Sequence, residues 1–346
     1  MKKFLQRVVL VAMAMATAQV AVAESWRINN DPAKGAHFAS INDAMASEDV
    51  KDGDVLYLDP GADITGDQTI TKAVTLIGTG WDFNSMPYAS SKISGHLYIK
   101  AKAIVTGVQV TQFIYPQYNE IVIERCLTTG IHQANSTIES KYVKIISCYL
   151  KYTYSGRTNS IMGAGKTASA TQGWEIYNTY AESLHSAVTS LFQPLVVNCS
   201  FYAGQYGKPI SNISSGIVKN CLLASYSSGS WADGCTDCSI AYNCVYGSMS
   251  SYPNNKAVFT GRASWKDVVV CGSEYGGVWQ KLCEGSPAIG AGEGGVDCGI
   301  YAEGSLYPFV THGMPKHIPY FTEVAVPAQP TDGKVKVSLK IVNQND

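Results

Sequence analysis

The feature that most restricts this chain is a spaced repeat through its middle. Six segments align on a polar or charged residue followed by a small one: Ile123-Glu124-Arg125-Cys126, Ile145-Ile146-Ser147-Cys148, Ile176-Tyr177-Asn178-Thr179, Val196-Val197-Asn198-Cys199, Val218-Lys219-Asn220-Cys221 and Ala241-Tyr242-Asn243-Cys244. Their last positions stand 22, 31, 20, 22 and 23 residues apart, and Val108, 18 residues before Cys126, extends the column. A coil built from three short strands and three turns needs about 22 residues per rung. The longer step implies an inserted loop of about 9 residues within 152–173, where Ser, Gly, Thr and Ala crowd.

The repeat also explains the residue types. Asn tolerates the left-handed backbone of a tight corner, so Asn178, Asn198, Asn220 and Asn243 are expected to turn the chain between strands. Cys and Thr are small enough to stack inside a narrow coil. The 32 glycines and 21 tyrosines, with abundant Ser, Thr, Val and Ile, favour strands and tight turns over long helices. A propeller would need blades of about 40 residues and paired hairpins, and no such doubling is present. The fold expected is therefore all-β, a single-stranded right-handed parallel β-helix (solenoid).

Before the repeat, Phe38, Ile41, Ala44 and Met45 recur at helical spacing, with Asp43 and Glu48 off that face, so a short amphipathic helix is expected between His37 and Ser47. Gly53-Asp54 then marks a turn, Val55-Leu56-Tyr57-Leu58 reads as a buried strand stopped by Pro60-Gly61, and Ala73-Val74-Thr75-Leu76-Ile77-Gly78 reads as another. A helix in this place would cap the exposed first rung. These three elements, in this order over about 45 residues, resemble the opening of pectin-lyase-like right-handed β-helix proteins. Near the other end, Gly285-Ser286-Pro287-Ala288-Ile289-Gly290-Ala291-Gly292 and Asp297-Cys298-Gly299 resemble the last rung of secreted Bacteroidetes β-helix proteins.

The chain begins with Lys2-Lys3, an apolar stretch over 8–22, and Ala21-Val22-Ala23. That order of charged, apolar and small residues predicts a signal peptide over 1–23, cleaved after Ala23. A membrane anchor needs about 20 uninterrupted apolar residues, whereas Thr17 and Gln19 interrupt this run. No Cys follows the cleavage site to carry a lipid, and no second apolar segment is long enough to span a bilayer. The expected product is exported, to the periplasm, cell surface or medium, and is not an integral membrane protein. The β-helix is expected over 24–300. A Pro-rich extended tail over 301–346 is expected to pack along or beyond its end and to finish in one lysine-protected edge strand, Val335 to Ile341.

Ten cysteines in an exported chain normally suggest disulfides. Five of them, Cys126, Cys148, Cys199, Cys221 and Cys244, fall on one column, where adjacent side chains point the same way about 4.8 Å apart, a geometry that disfavours a disulfide torsion. They are expected to be reduced filler. Cys235-x-x-Cys238 is a loop pair, a redox pair or half of a zinc site. Cys271, Cys283 and Cys298 carry no assignment.

Charged residues make up 15% of the chain and the net charge is −1, so no basic field exists to attract nucleic acid. A glycosidase needs two facing carboxylates, but Glu124 has Ile146 and Tyr177 at the matching sites of the next rungs. A calcium-dependent lyase needs clustered acids and a base, yet Glu175 and Glu182 are the only acids between residues 142 and 230. Basic candidates for a metal-free lyase are Arg157, Lys166, His185, Lys208, Arg262 and Lys266, each more simply a solvated charge. His96 and His132 lie near turns without a paired carboxylate. Gly165-Lys166-Thr167 ends like a phosphate loop but has Ser160 in place of its leading Gly. No catalytic residue, metal or cofactor is implied.

The aromatic signal is stronger. Many tyrosines flank the corner column and are expected to recur on one side of successive rungs, where a ladder of rings could stack sugars or pack against the insert and tail. Tyr152, Tyr154, Tyr202, Tyr206 and Trp231 are the candidate glycan-binding residues. The expected function is a surface or adhesive protein that binds a polysaccharide or cell-surface glycan. A polysaccharide lyase or glycoside hydrolase acting on acidic polysaccharide is the alternative.

Overall fold

A computed structural model of the protein describes residues 23–81, 90–133, 137–151, 159–167, 169–204, 206–225, 231–246, 252, 254–259, 270–271, 281–302, 304–307, 309, 313, 320–325 and 338–342. Apolar residues alternate in runs of three or four closed by turns, giving strands too short to bury an apolar side alone. They bury it by stacking on their own successors. Ten strands pair in parallel from Ser25–Ile28 to Ser239–Ile240 to make the first face. Through it runs an unbroken interior column of Leu56, Leu76, Val105, Ile123, Ile145, Ile176, Val196, Val218 and Ile240, each opposite the next and all buried. Two further faces share the long strands Gln109–Pro116 and Leu127–His132, which carry on around a corner. The chain is thus a parallel β-helix, in the right-handed sense that twisted strands impose on such crossovers.

The corner between the first and second faces shows why the repeat looks as it does. Arg125, Ser147, Asn178, Asn198, Asn220 and Tyr242 all take the left-handed conformation, with φ between 44° and 59°. The residue after each points inward: Cys126, Cys148, Thr179, Cys199, Cys221 and Asn243, all buried. Each turns its polar atom onto the carbonyl two residues back, from Thr179 Oγ1 to Tyr177 at 2.9 Å, Cys199 Sγ to Val197 at 3.3 Å and Asn243 Nδ2 to Ala241 at 3.0 Å.

Two expectations fail at the last rung. Val218 faces Ile240 rather than Ala241, so the register slips by one. Tyr242, not Asn243, makes the left-handed turn, and Asn243, not Cys244, fills the column. There the amide bonds suit the end of the stack: Asn243 Oδ1 accepts from Cys221 N, and Asn243 Nδ2 donates to Asn255 Oδ1. Cys244 faces outward beside Leu222 and Cys298. The column thiols are free, as are Cys235, Cys238, Cys244 and Cys298, whereas Cys283 is disulfide-bonded.

The capping helix is present but shorter than its pattern suggests, Ile41–Ala46. Ser40 caps it by accepting from Asp43 N at 3.0 Å. Phe38 lies before the helix, in a parallel bridge to Ile28, because the Ser25–Ile28 strand already forms the first rung. Ile41, Ala44 and Met45 are buried. Asn42 covers the strand edge directly, accepting from Thr69 N at 2.9 Å and donating to Asp67 O at 3.0 Å. Its amide thereby stands in for a missing strand.

At the far end the chain turns back. Residues 293–302 and 304–307 form a strap that runs over the left-handed corner, against the direction of the rungs. Glu293 N donates to Asn220 Oδ1 at 2.8 Å, Asn178 Nδ2 to Ile300 O at 2.9 Å, Ser305 Oγ to Asn178 Oδ1 at 2.9 Å, and Ser147 Oγ to Tyr307 O at 3.2 Å. Ile300 is buried with Trp81, Tyr149 and Tyr180. Beyond it, Tyr320–Ala325 pairs antiparallel with Ser338–Val342, so the final strand has one neighbour.

Candidate functional site

The glycan-binding candidates read from the sequence do not come together. Tyr152 and Tyr154 lie outside the described residues. Tyr202 packs half-buried against the cluster around Leu222 and Cys244, and Tyr206 is exposed with its ring 5.8 Å from His185. Trp231 is a correction: at 1% exposure its ring fills the coil interior on the last rung of the third face, with Tyr252 packed on it at 5.3 Å. It offers no face to a sugar.

A ring surface does exist, on the third face, beginning one rung beyond the strand that the N-terminal helix covers. In the strand Leu97–Ile99, Leu97 and Ile99 point inward, so Tyr98 points out, and in Gln109–Pro116 buried Ile114 leaves Phe113 and Tyr115 outward. The register sets Tyr98 opposite Tyr115, and their rings stack at 5.0 Å and 15°. His96 lies parallel to Phe113 at 5.9 Å, 5.3 Å from Tyr115, and His132 meets Phe113 at 4.5 Å. The rings join because Gly130 stands between: a Cβ there would lie 2.7 Å from Ser160 O and 3.0 Å from Phe113 Cε1. Five rings thus form one continuous strip across three rungs.

The electrostatics are those of a neutral surface with a polar margin. His132 is 7% exposed and its Nε2 lies 2.6 Å from Asn159 O; burial pushes its pKa down to about 4, so the ring is uncharged at neutral pH. Burial, then the neighbouring Tyr98 and Asp67, raise the Tyr115 hydroxyl above its ordinary value, which keeps it a donor. Asp67 is exposed at the edge and accepts from His96 N at 2.9 Å. His96 Nδ1 accepts from Phe113 N at 3.2 Å, fixing the imidazole plane. Thr69, opposite Tyr98, continues the outward column toward the cap. The strip offers apolar ring edges, and the ring faces that the stacked pairs leave uncovered, with hydroxyl and carboxylate acceptors beside them.

Several of the acids and bases singled out in the sequence have partners in the structure. Glu124 faces Ile146 and then Tyr177 along its column. Glu175 pairs with Lys144 at 3.1 Å and accepts from the Tyr177 hydroxyl at 3.1 Å, while Glu182 accepts from the Tyr180 hydroxyl at 3.2 Å. Lys166 donates to Gly234 O at 3.1 Å. Arg157, Arg262 and Lys266 lie outside the described residues. Among the described residues no group of three or more His, Cys, Asp or Glu is placed to hold a metal ion, and no helix is long and apolar enough to cross a membrane.

The fold defines the class: a parallel β-helix carrying an aromatic strip. No family model and no curated protein matches the chain. Among solved structures, the GH136 lacto-N-biosidase from Eubacterium ramulus is similar at 11% identity with a TM-score of 0.42. The match covers 64% of this chain and 56% of that one, so the chain spans little more than half that enzyme's length.

Proposed function

We propose that this chain is an exported β-helix protein that binds a glycan, with Tyr98, Tyr115 and Phe113 contacting its sugar rings. The observation that carries this reading is the continuous five-ring strip, held rigid by the pairing of three rungs. Neighbouring rungs repeat at about 4.8 Å, so the rings present a regular and largely pre-formed surface, and binding costs little ordering. His96, Asp67 and the Tyr115 hydroxyl supply polar contacts at its margin. Export rests on the leader pattern over 1–23 and agrees with a disulfide at Cys283. The strip lies within the segment assigned to the coil, 24–300; the tail over 301–346 is assigned to fastening rather than to binding.

The test is a glycan array on the full chain, followed by calorimetry with the best ligand and a product-release assay on uronic-acid polymers. Tyr98→Ala and Tyr115→Ala are each expected to weaken binding about tenfold, in line with roughly 1 kcal/mol for an aromatic stack, whereas Tyr206→Ala leaves it unchanged. A native protein that binds no glycan, or one whose binding ignores Tyr98 and Tyr115, overturns this reading. Release of product would instead establish the enzyme.

A further inference from the structure

Asp54, in the turn that leads into the Val55–Leu58 strand, is an acid enclosed at the very start of the coil. It is 2% exposed, and its carboxylate takes three donors: Glu24 N to Oδ1 at 2.8 Å, Trp26 Nε1 to Oδ2 at 2.8 Å and Lys51 N to Oδ2 at 2.9 Å. Burial pushes its pKa up, but the bonds from Lys51 N, Trp26 and Glu24 N, with the Lys51 charge, outweigh that effect. The carboxyl therefore sits below its ordinary range and is ionised at neutral pH. Its counter-charge is missing. None of the ion pairs among the described residues includes Asp54, and the Lys51 ammonium is turned to Glu48 O. A carboxylate taken out of water keeps a cost that an opposite charge in contact offsets.

The backbone nitrogen at Oδ1 belongs to the residue that follows the expected cleavage point. Ala23 and Glu24 are both exposed, so the bond between them is open to an export peptidase. Hydrolysis adds water across that amide, leaving a carboxylate on Ala23 and an ammonium on Glu24. Little else has to move. Glu24 O still accepts from Val55 N at 2.8 Å, and Ser25–Ile28 still pairs with Val55–Leu58, so the new ammonium stays where the amide N–H stood. Of its three hydrogens, one reaches Asp54 Oδ1 and two remain for water.

We infer that Asp54 is the seat of the mature N-terminus: once the Ala23–Glu24 bond is cut, the α-ammonium of Glu24 pairs with the buried Asp54 carboxylate and fastens the first rung. The inference rests on the export reading given above and is independent of the aromatic strip. Removal of the leader thus completes the fold at its N-terminal end, where an uncleaved chain offers only a neutral amide.

Mass spectrometry of the exported protein comes first, and Glu24 is the expected first residue. Competitive acetylation over a pH series, read on the N-terminal peptide, then follows the α-amine in the native protein and in urea. An α-amine ordinarily loses its proton near pH 8. Beside Asp54 the half-reaction should move to higher pH, and at pH 7 labelling should be about tenfold slower than in urea. The other titratable groups nearby are the Glu24 carboxylate, Lys51, Asp52, which accepts from Ala73 N, and His37, edge-on to Trp26 at 5.4 Å. None of them confuses the reading, because the label reports the amine itself. Asp54→Asn should return the half-reaction to its position in urea. That change also weakens the Trp26 and Lys51 bonds, so a second comparison leaves Asp54 in place. The mature chain should melt higher than one keeping residues 20–23 at pH 7, and no higher at pH 10, where the ammonium is gone. A first residue other than Glu24 overturns the cleavage reading and the inference with it. With Glu24 first, an amine that titrates alike in native protein and in urea, or a mature chain that melts no higher at pH 7, overturns the inference alone.

Discussion

At the scale of the residue, Cys, Thr and Asn are interchangeable on the interior column because each does one task. A left-handed corner leaves a carbonyl turned toward the coil, and a short side chain with a polar tip caps it without crowding the next rung. Burial raises the Cys126 and Cys221 thiols well above their ordinary value, which suits inert filler rather than nucleophiles. His132 is the residue whose burial is felt in pH. Unfolded it titrates near the ordinary histidine value of 6.5 and folded near 4, so between those limits the unfolded chain takes up a proton that the folded one refuses. Stability is therefore full above about pH 6.5 and falls as the pH drops toward 4, by up to about 3 kcal/mol. Urea denaturation at pH 7 and pH 4 should show that loss shrinking by a comparable amount in His132→Phe; an identical pH dependence in the two proteins would refute the assignment. The residues that mark corners were legible in the sequence because Asn178, Asn198 and Asn220 each precede a small residue. The slip at Asn243 was not, since Tyr242 is an uncharacteristic choice for φ 59° and the Asn-Cys pair repeated the pattern one place late.

At the scale of the element, strands of two to four residues are positioned by how closely their turns approach. A Cβ on Gly78 would stand 2.4 Å from the Gly107 carbonyl, backbone that cannot step aside. Gly234, at φ +62, has only Asn212 atoms at 3.6 Å or beyond. Gly78→Ala is thus expected to cost roughly 3 kcal/mol through forced displacement of a rung, and Gly234→Ala about 1 kcal/mol through backbone conformation alone. Thermal melts of the two variants check the order, and a larger loss at Gly234 would contradict it. The first-face strands could be read from periodic Ile and Val because burial on one side repeats at each rung. Two elements could not. Ser25–Ile28 is a four-residue strand with only Ile28 buried, and its partner lies 30 residues on, across the helix. The ring strip depends on the register between Leu97–Ile99 and Gln109–Pro116, and the latter turns a corner that no turn residue announces. Tyr98 and Tyr115 are neighbours only once that register is fixed.

At the scale of the whole molecule, a coil that grows along one axis has two ends to protect. At the start, the Ile41–Ala46 helix and the Asn42 amide occupy the free edge of the Gln68–Ile70 strand. Met45→Asp would put a charge against that edge and loosen the cap, exposing unpaired backbone to a second chain. Light scattering after size-exclusion chromatography should find aggregates in Met45→Asp and a single species in the exposed control Asp49→Ala; a well-behaved Met45→Asp would show that the helix protects nothing. The solenoid and its cap were legible because repetition and amphipathic spacing are local. The strap was not, because its bonds run from irregular backbone to side chains far away in sequence, and Pro, Gly and Ser in that stretch signal only an absence of regular structure.

That distance also sets an order of events. Most rungs find their partners about 20 to 30 residues away, so the coil assembles by successive short closures, each one templating the next. The bond from Ser147 to Tyr307 spans 160 residues and that from Asn178 to Ile300 spans 122. Neither can form until the intervening turns of the coil have wound and brought the row of corner side chains into line. The strap is therefore a latch that reads completion: it closes only on a coil wound in the correct register, and a rung out of step would leave it without a row to fasten to.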